Sequence, residues 1–529
     1  MKKIPLLILC MTSAFALNAQ TTFQKSYGGS DDDSMYGLTK THDGGYVMAG
    51  QTESFGGTPF DIYIIKTNAN GTVLWSKVYR GNASDYATYI QETADHGFLV
   101  SGGTTSYGAG SDDAFLLKTD SVGGVQWSKV YGGAMEDIFF STAQTFDGGY
   151  IAAGHTFSFG AGSVDALVVR TDASGDTLWT RIIGGTGWDQ ASSIIQTSDS
   201  NFVLCGRTGS FTTGYLKIFL AKLDASGDTL WTLQYGGNGQ EESQSVKETL
   251  DGDYIVVGST NSFSSTNYNA YLNRFNTNGN LLWSKIYGGP KVDAFYEIVN
   301  MADSGFAFTG FTESFGIGHR GSDSANVMLI RTDANGDTLW TRTYGGTKMD
   351  EVFGLVKTDD EGLVILAYSS SFGTDSLDAY LIKTDASGNS NCNETPCAPF
   401  VFAPATIVSA TSPQITSGVS VALAPFTEIN PPTHENVLCF ILGTNNVESS
   451  SDGFTLFPNP AANQLTIDNG QLTISSIDVF DLVGRKIIHR SLREENKAVL
   501  DVSALPSGIY FVRIRDAKNN TVAGKFVKE

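Results

Sequence analysis

Ser34-Met-Tyr-Gly-Leu-Thr-Lys-Thr41, a turn at Asp43-Gly44-Gly45, Tyr46-Val-Met-Ala-Gly-Gln-Thr52, a loop through Ser54-Phe55-Gly56, Asp61-Ile-Tyr-Ile-Ile-Lys-Thr67, a turn at Asn68-Ala-Asn-Gly71 and Val73-Leu-Trp-Ser-Lys-Val-Tyr79 form one unit of this chain. The unit holds four short runs rich in Val, Ile, Tyr and Thr, parted by Gly, Asp and Asn. These read as strands, with no helical period between them. The unit then recurs. Tryptophan stands at Trp75, Trp127, Trp179, Trp231, Trp283 and Trp340, with four intervals of 52 residues and a last one of 57. Four residues after each Trp comes Tyr-Gly-Gly or a close variant. A fixed period of this size marks a repeat architecture, because a single unit cannot bury its apolar face alone. Four antiparallel strands per unit is the blade of a β-propeller.

The Asp-x-Gly turn and its variants recur at Asp43, Asp95, Asp147, Asp199, Asp251, Asp303 and Asp360, which gives seven units. In the seventh, the Trp position falls on Cys392 and the pattern ends. Phe23-Gln-Lys-Ser-Tyr27-Gly28-Gly29 aligns instead with the Trp75 strand. The sequence therefore predicts an all-β chain: a seven-bladed β-propeller over 20–390, closed by an N-terminal strand, followed by a small C-terminal β-sandwich. Closure removes the edges that an open sheet would present.

Residues 1–19 read as a signal peptide: Lys2-Lys3, an apolar run, then Asn18-Ala19-Gln20. Cys10 lacks the small residue before it that a lipid-attachment box requires. No other stretch is long and apolar enough to span a membrane as a helix. Residues 391–445 form a connector rich in Pro, Ser and Thr, expected to be extended with room for one β-hairpin. It carries Cys392, Cys397 and Cys439, candidates for a disulfide in an oxidising compartment. Their pairing is open. Cys205 reads as a buried free thiol in the second strand of the fourth unit.

Residues 446–529 lack the repeat. They carry Phe457-Pro458-Asn459-Pro460, Val479-Phe-Asp-Leu-Val-Gly484-Arg485, Leu505-Pro506-Ser507-Gly508-Ile-Tyr510 and Lys525-Phe-Val-Lys-Glu529. This ordered set resembles the type A C-terminal sorting domain of the type IX secretion system of Bacteroidota. The resemblance implies a small β-sandwich read by the type IX secretion machinery as an export address, through Pro458, Asn459, Pro460, Gly484, Gly508, Tyr510 and Lys525. It implies a secreted or outer-membrane cell-surface protein that passes through the periplasm. The repeats are similar to a bacterial family of secreted seven-bladed propellers, which implies the fold and no fixed function.

The formal net charge of −21 argues against nucleic acid or an anionic membrane as a partner. A monomer is expected. Six residues after each repeat Tyr, or after Ile183, stands an acid: Asp33, Asp85, Asp137, Asp189, Glu241, Asp293 and Asp350. Seven carboxylates at one channel mouth would attract a cation such as Ca²⁺. A residue repeated in every unit more often satisfies backbone N–H groups of its own turn, and like charges about one axis repel. The structural reading is preferred, and no cofactor is required. The Asp-Ala-Ser-Gly-Asp turns lack the spacing and distal Glu of a calcium loop.

Ligand sites on a symmetric scaffold are best sought where the symmetry breaks. Trp188 is the Trp outside the repeat position, Lys291 and Lys348 are basic intrusions, and the longer sixth unit carries His319 and Arg320. With Glu241 these form the candidate ligand-binding set, suited to stacking on a sugar ring and binding its hydroxyls. No catalytic motif stands out, and the six histidines show no metal-ligand spacing. The reading is a non-catalytic binding or adhesion module for an extracellular glycan or protein. Alternatives are a polysaccharide-active hydrolase or lyase using channel-mouth carboxylates, and a purely structural surface protein.

Overall fold

A computed structural model describes residues 21–441 and 455–528, apart from short stretches at 57–58, 213, 264–266, 318–323, 374–376, 405–406, 411–413, 417–418, 425, 432–433, 459–460, 469–473, 482–484, 496 and 517–520. The expected signal peptide therefore lies outside the described residues. All regular elements among those described are β-strands. No described helix is long and apolar enough to cross a membrane. The chain divides into two compact units, one spanning Thr22–Cys439 and the other holding Phe440–Glu529.

In the first unit, each repeat folds into one antiparallel sheet. Sheet 1 runs Asp33–Lys40, Tyr46–Thr52, Asp61–Thr67 and Val73–Arg80, and the next five repeats follow the same order. Sheet 7 takes three strands from the last repeat and its fourth from the chain's start. Thr22–Gly28 pairs antiparallel with Asp378–Lys383, placing Phe23 opposite Lys383 and Tyr27 opposite Ala379. The first strand of each sheet touches the first strands of the sheets before and after it, and Asp350–Lys357 touches Asp33–Lys40.

The repeat motif is explained by contacts between neighbouring sheets. Five of the six signature tyrosines, Tyr27, Tyr79, Tyr131, Tyr287 and Tyr344, reach into the last turn of the following repeat. Tyr27 Oη donates to the Gly71 carbonyl at 2.6 Å, Tyr79 to Gly123 at 2.6 Å and Tyr131 to Gly175 at 2.7 Å. Five of the six repeat tryptophans lie against an aromatic of the following sheet, as Trp75 does on Phe98 at 5.9 Å and Trp179 on Phe202 at 6.0 Å. The turn aspartates are fixed by a cation from the third strand of their own sheet: Lys66–Asp43 and Lys118–Asp95 are both 2.9 Å. The period therefore encodes one interface made repeatedly.

The connector departs from expectation. In place of an extended segment with one hairpin, it supplies a fifth strand to every one of the seven sheets, antiparallel in sheets 1 to 6. Glu394–Pro396 pairs with sheet 6, Phe400–Phe402 with sheet 5, Ile407–Ala410 with sheet 4 and Gln414–Thr416 with sheet 3. Ser420–Leu423 then pairs with sheet 2, Thr427–Ile429 with sheet 1 and His434–Ile441 with sheet 7. The belt thus visits the sheets in reverse chain order and covers every outer edge. Prolines such as Pro399 and Pro404 part the short strands, since proline cannot donate to a ladder. Side chains fasten it too: Ser76 Oγ donates to the Pro431 carbonyl at 2.9 Å, and Lys77 pairs with Glu428.

Cys392 is disulfide-bonded, and Cys397 and Cys205 are free thiols. This excludes the tight Cys392–Cys397 loop among the pairings left open; the Cys439 side chain lies outside the described residues.

In the C-terminal unit, a three-stranded and a four-stranded sheet enclose one apolar core that includes Leu465, Ile467, Ile477, Val512, Ile514 and Phe526. Tyr510 stacks on Phe526 at 5.5 Å and donates to the Pro506 carbonyl at 2.8 Å. Pro458 follows the strand Thr455–Phe457, Gly508 opens the strand Gly508–Asp516, and Lys525 is exposed. Asn459, Pro460 and Gly484 lie outside the described residues.

Candidate functional site

The seven repeat acids each open the first strand of a sheet and are at most 1% exposed. Each carboxylate turns into its own loop. Asp33 accepts from Gly29 N at 2.6 Å and Ser54 Oγ at 2.7 Å; Asp137 accepts from Gly133 N and Ser158 Oγ, both at 2.7 Å. Asp85, Asp189, Asp293 and Asp350 follow the same pattern, with hydroxyls of Thr104, Thr208, Thr312 and Ser369 added. Burial pushes the carboxyls of Asp33, Asp85, Asp137 and Asp293 up, outweighing their hydrogen bonds, and takes Asp350 to about 6. The repeat glycine is dictated by the same packing. A Cβ on Gly132 would fall 2.2 Å from Asp113 Oδ1 and 2.8 Å from Asp137 Oδ2.

Glu241 behaves differently from a surface ligand. It is 1% exposed and pairs with Lys217 Nζ at 2.7 Å, which also donates to the Gly237 carbonyl at 2.8 Å. It therefore does not share an open face with the other candidate residues. Lys291 is half-buried, its N–H donating to Ser314 Oγ at 2.9 Å, and Lys348 is exposed. His319 and Arg320 lie outside the described residues.

Trp188 is 36% exposed, but its ring is already engaged. Phe157 meets it edge-on at 5.6 Å and the Arg207 guanidinium lies 5.6 Å from its centre. Arg207 in turn donates to Gln190 Oε1 at 2.9 Å and pairs with Glu242 at 3.4 Å. His155 bridges inward, 6.5 Å from Trp188 and 5.2 Å from Phe140. Burial holds the His155 imidazole below its usual range even though Glu136 sits 3.0 Å away.

Gln190 and Phe140 belong to the wall of a cavity of about 950 Å³ that receives side chains from the first strands of all seven sheets. One sequence position supplies its shape. Three residues after each repeat acid, the register of the first strand slips, as between Met35 and Gly37 or between Val352 and Gly354. Such a bulge lifts the extra residue off the ladder and re-aims its side chain. The seven residues so placed are Tyr36, Thr88, Phe140, Ser192, Gln244, Tyr296 and Phe353, and all line the cavity.

That position breaks the sevenfold pattern. Tyr296, Phe353 and Tyr36 follow one another in sheets 6, 7 and 1 and form an aromatic arc. Phe353 lies 5.5 Å from Tyr296 and 5.0 Å from Tyr36, with Tyr368 behind it at 5.3 Å. Glu351 accepts from Tyr296 Oη at 3.2 Å and from Tyr368 Oη, fixing two of these rings. Further along the wall, Lys247 pairs with Glu297 at 3.1 Å, and Ser245 Oγ donates to the same carboxylate at 2.6 Å. Burial works against the Lys247 charge, and Glu297 outweighs it, holding the ammonium well above its ordinary value. Asp112 lines the same cavity, and burial, with the charges of Glu136, Asp113 and Asp85, pushes its carboxyl up to about 6. Ring faces, amides and paired charges on one concave wall suit a polar ligand with flat apolar faces.

Residues 455–529 match the secretion system C-terminal sorting domain family. The chain therefore carries a type IX sorting domain, engages that export machinery, and is delivered to the cell surface or released. Over 258 residues it is 26% identical to the regulatory protein FlaEY of Caulobacter vibrioides, an alignment covering 43% of this chain and 26% of that protein. The chain thus spans about a quarter of the length of that curated relative. Among solved structures, it is similar to PorZ, a surface component of the type IX secretion system of Porphyromonas gingivalis, at 12% identity and TM-score 0.36, covering 95% of this chain and 60% of that one. It is also similar to the extracellular domain of a hybrid two-component system of B. thetaiotaomicron, at 8% identity and TM-score 0.24, covering 94% of this chain and 69% of that one.

Proposed function

We propose that the chain is an exported, non-catalytic binding module in which a closed seven-bladed β-propeller holds an extracellular glycan in its central cavity. The closed ring is supported by the pairing of Thr22–Gly28 with Asp378–Lys383 and by the contact of the last first-strand with Asp33–Lys40. The belt supports it independently. Its seven strands begin at intervals of six or seven residues, which at about 3.3 Å per residue gives even steps of roughly 20 Å around the outside.

The observation that carries the binding role is the arc of Tyr296, Phe353 and Tyr36 at a position that bears polar or small residues in three of the other four sheets. Sugar rings offer an apolar face for stacking and a rim of hydroxyls for Gln51, Gln190 and Gln244 of the cavity wall. The test is equilibrium binding of the mature full-length chain to a panel of soluble polysaccharides, with Phe353→Ala and Tyr296→Ala alongside. Binding to one polymer class that both variants weaken supports the reading. No binding across the panel, or binding that neither variant weakens, refutes it.

A second reading rests on Asp112. A cavity carboxyl raised to about 6 is suited to proton transfer in glycoside cleavage. If the bound polymer shortens with time and Asp112→Asn stops that shortening, the protein is a hydrolase or lyase instead.

A further inference from the structure

The six histidines show no ligand spacing along the chain, yet the fold stacks two of them. His42, in the first turn of sheet 1, and His96, in the matching turn of sheet 2, lie ring on ring at 3.6 Å with 28° between their planes. Both direct Nδ1 toward one oxygen of Glu92: His42 Nδ1 is 2.6 Å and His96 Nδ1 3.8 Å from Oε1. The three ligand atoms lie within 4.8 Å of one another. The histidines are exposed and Glu92 is half-buried.

Glu92 also has a scaffolding role, which must be separated from ligation. Its other oxygen, Oε2, accepts the His42 backbone N–H at 2.7 Å and so ties sheet 2 to the turn of sheet 1. The same bond recurs between later sheets, where Gln144 accepts from Ala94 N and Gln196 from Phe146 N, both at 2.7 Å. Glutamine suffices there. Here the acceptor is a carboxylate whose remaining oxygen faces two imidazoles. His96 moreover sits at φ +64°, where the corresponding residues Gly44 and Gly148 are glycines at +79° and +85°. A side chain in this left-handed conformation costs roughly 1 kcal/mol, a cost that the same turn also bears at Ser200, Ser304 and Glu361.

The geometry points to a divalent transition-metal site formed by His42 Nδ1, His96 Nδ1 and Glu92 Oε1, joining the first two sheets. Two imidazoles and a carboxylate suit Zn²⁺ and its neighbours in the series, with remaining positions open to water. Bonds of about 2.0–2.2 Å require exposed side chains to draw together by only about an ångström. On binding, the His42–Glu92 hydrogen bond gives way and the ring proton moves from Nδ1 to Nε2, leaving the Nδ1 lone pair to ligate.

The repeats supply substitutions already tolerated by this scaffold. Glu92→Gln keeps the bond to the His42 backbone, as Gln144 does in its own sheet. His96→Gly installs the residue of Gly44 and Gly148 and relieves the turn. His42→Ala copies Ala94. The mature full-length chain is stripped with chelator and titrated with Zn²⁺ against a chromophoric competitor, with Co²⁺ absorption reporting nitrogen ligation. One ion per chain is expected in the parent protein, bound at least tenfold more weakly in each variant, with thermal unfolding of the metal-free forms confirming that all are folded. Equal affinity in parent and variants, or no uptake even at millimolar Zn²⁺, overturns the assignment.

Discussion

Phe426 anchors the belt, and its removal should release one segment without unfolding the sheets. It is 8% exposed and meets Phe115 at 5.4 Å and Tyr107 at 5.2 Å, both nearly perpendicular. Truncating such a phenylalanine costs about 3–5 kcal/mol through lost burial and the cavity left behind. The flanking strands, Ser420–Leu423 and Thr427–Ile429, hold only a few ladder bonds each, worth about 0.5–1.5 kcal/mol apiece net. The loss in Phe426→Ala is therefore comparable to the whole local attachment. Opening of 420–429 should become about two to three powers of ten more frequent, at roughly 1.4 kcal/mol per tenfold. Hydrogen exchange followed by mass spectrometry reads this directly. Amides of 420–429 should exchange that much faster, while Asp33–Lys40 and Asp85–Glu92 stay protected as in the parent. Unchanged exchange in 420–429, or a belt already unprotected in the parent protein, would refute the reasoning.

Stability should rise on mild acidification. Asp33, Asp85, Asp137, Asp293 and Asp350 at the starts of first strands, and Asp112 in the cavity wall, have folded-state carboxyls raised above the ordinary value near 3.8. The folded chain thus binds protons more readily than the unfolded chain, and stability grows as pH falls from 7 through 6. For Asp350 alone the rise to about 6 corresponds to roughly 3 kcal/mol at full effect. His155 acts in the opposite sense, since burial lowers its folded value, but it is one group against several. Turn aspartates such as Asp43, held at about 2 beside Lys66, lose their contribution only below about pH 4. The unfolding midpoint should be higher at pH 5 than at pH 7.5; a lower one would contradict these assignments. Peptide mapping without reductant should find Cys392 joined to Cys439 and Cys397 free, and a Cys392–Cys397 peptide would count against this. Cys205, whose thiol burial pushes up to about 12, should resist alkylation until the chain is unfolded.

The repeat was legible because each sheet spends the same residues on the same interface: Trp on the next sheet, Tyr in the next turn, Asp beneath a lysine or arginine. The belt was not. Its strands are three or four residues long in most cases, too short to show an alternating period, and the outer edges of the sheets set their register. Its signal is the spacing of short aromatic or β-branched runs between prolines, as in Phe400-Val401-Phe402 and Ile407-Val408. The symmetry breaks that the sequence displays lie in its loops. The break with an aromatic arc lies within the first strands, three residues after each acid, at the one position that the bulge turns out of the ladder. Glu241 was placed on an open face because sequence does not reveal that Lys217 supplies an internal partner. His42 and His96 stand in turns one repeat apart, a separation that no local motif registers.

The most direct test of glycan binding in the cavity is isothermal titration of the mature chain with an oligosaccharide cut from its best-bound polymer, comparing the parent with Phe353→Thr. This substitution installs the residue that Thr88 provides at the same position in sheet 2. Loss of one stacking partner, about 1.4 kcal/mol or more, predicts at least tenfold weaker binding at one site per chain, with the unfolding midpoint little changed. Undiminished affinity in Phe353→Thr would place the ligand elsewhere and contradict the account.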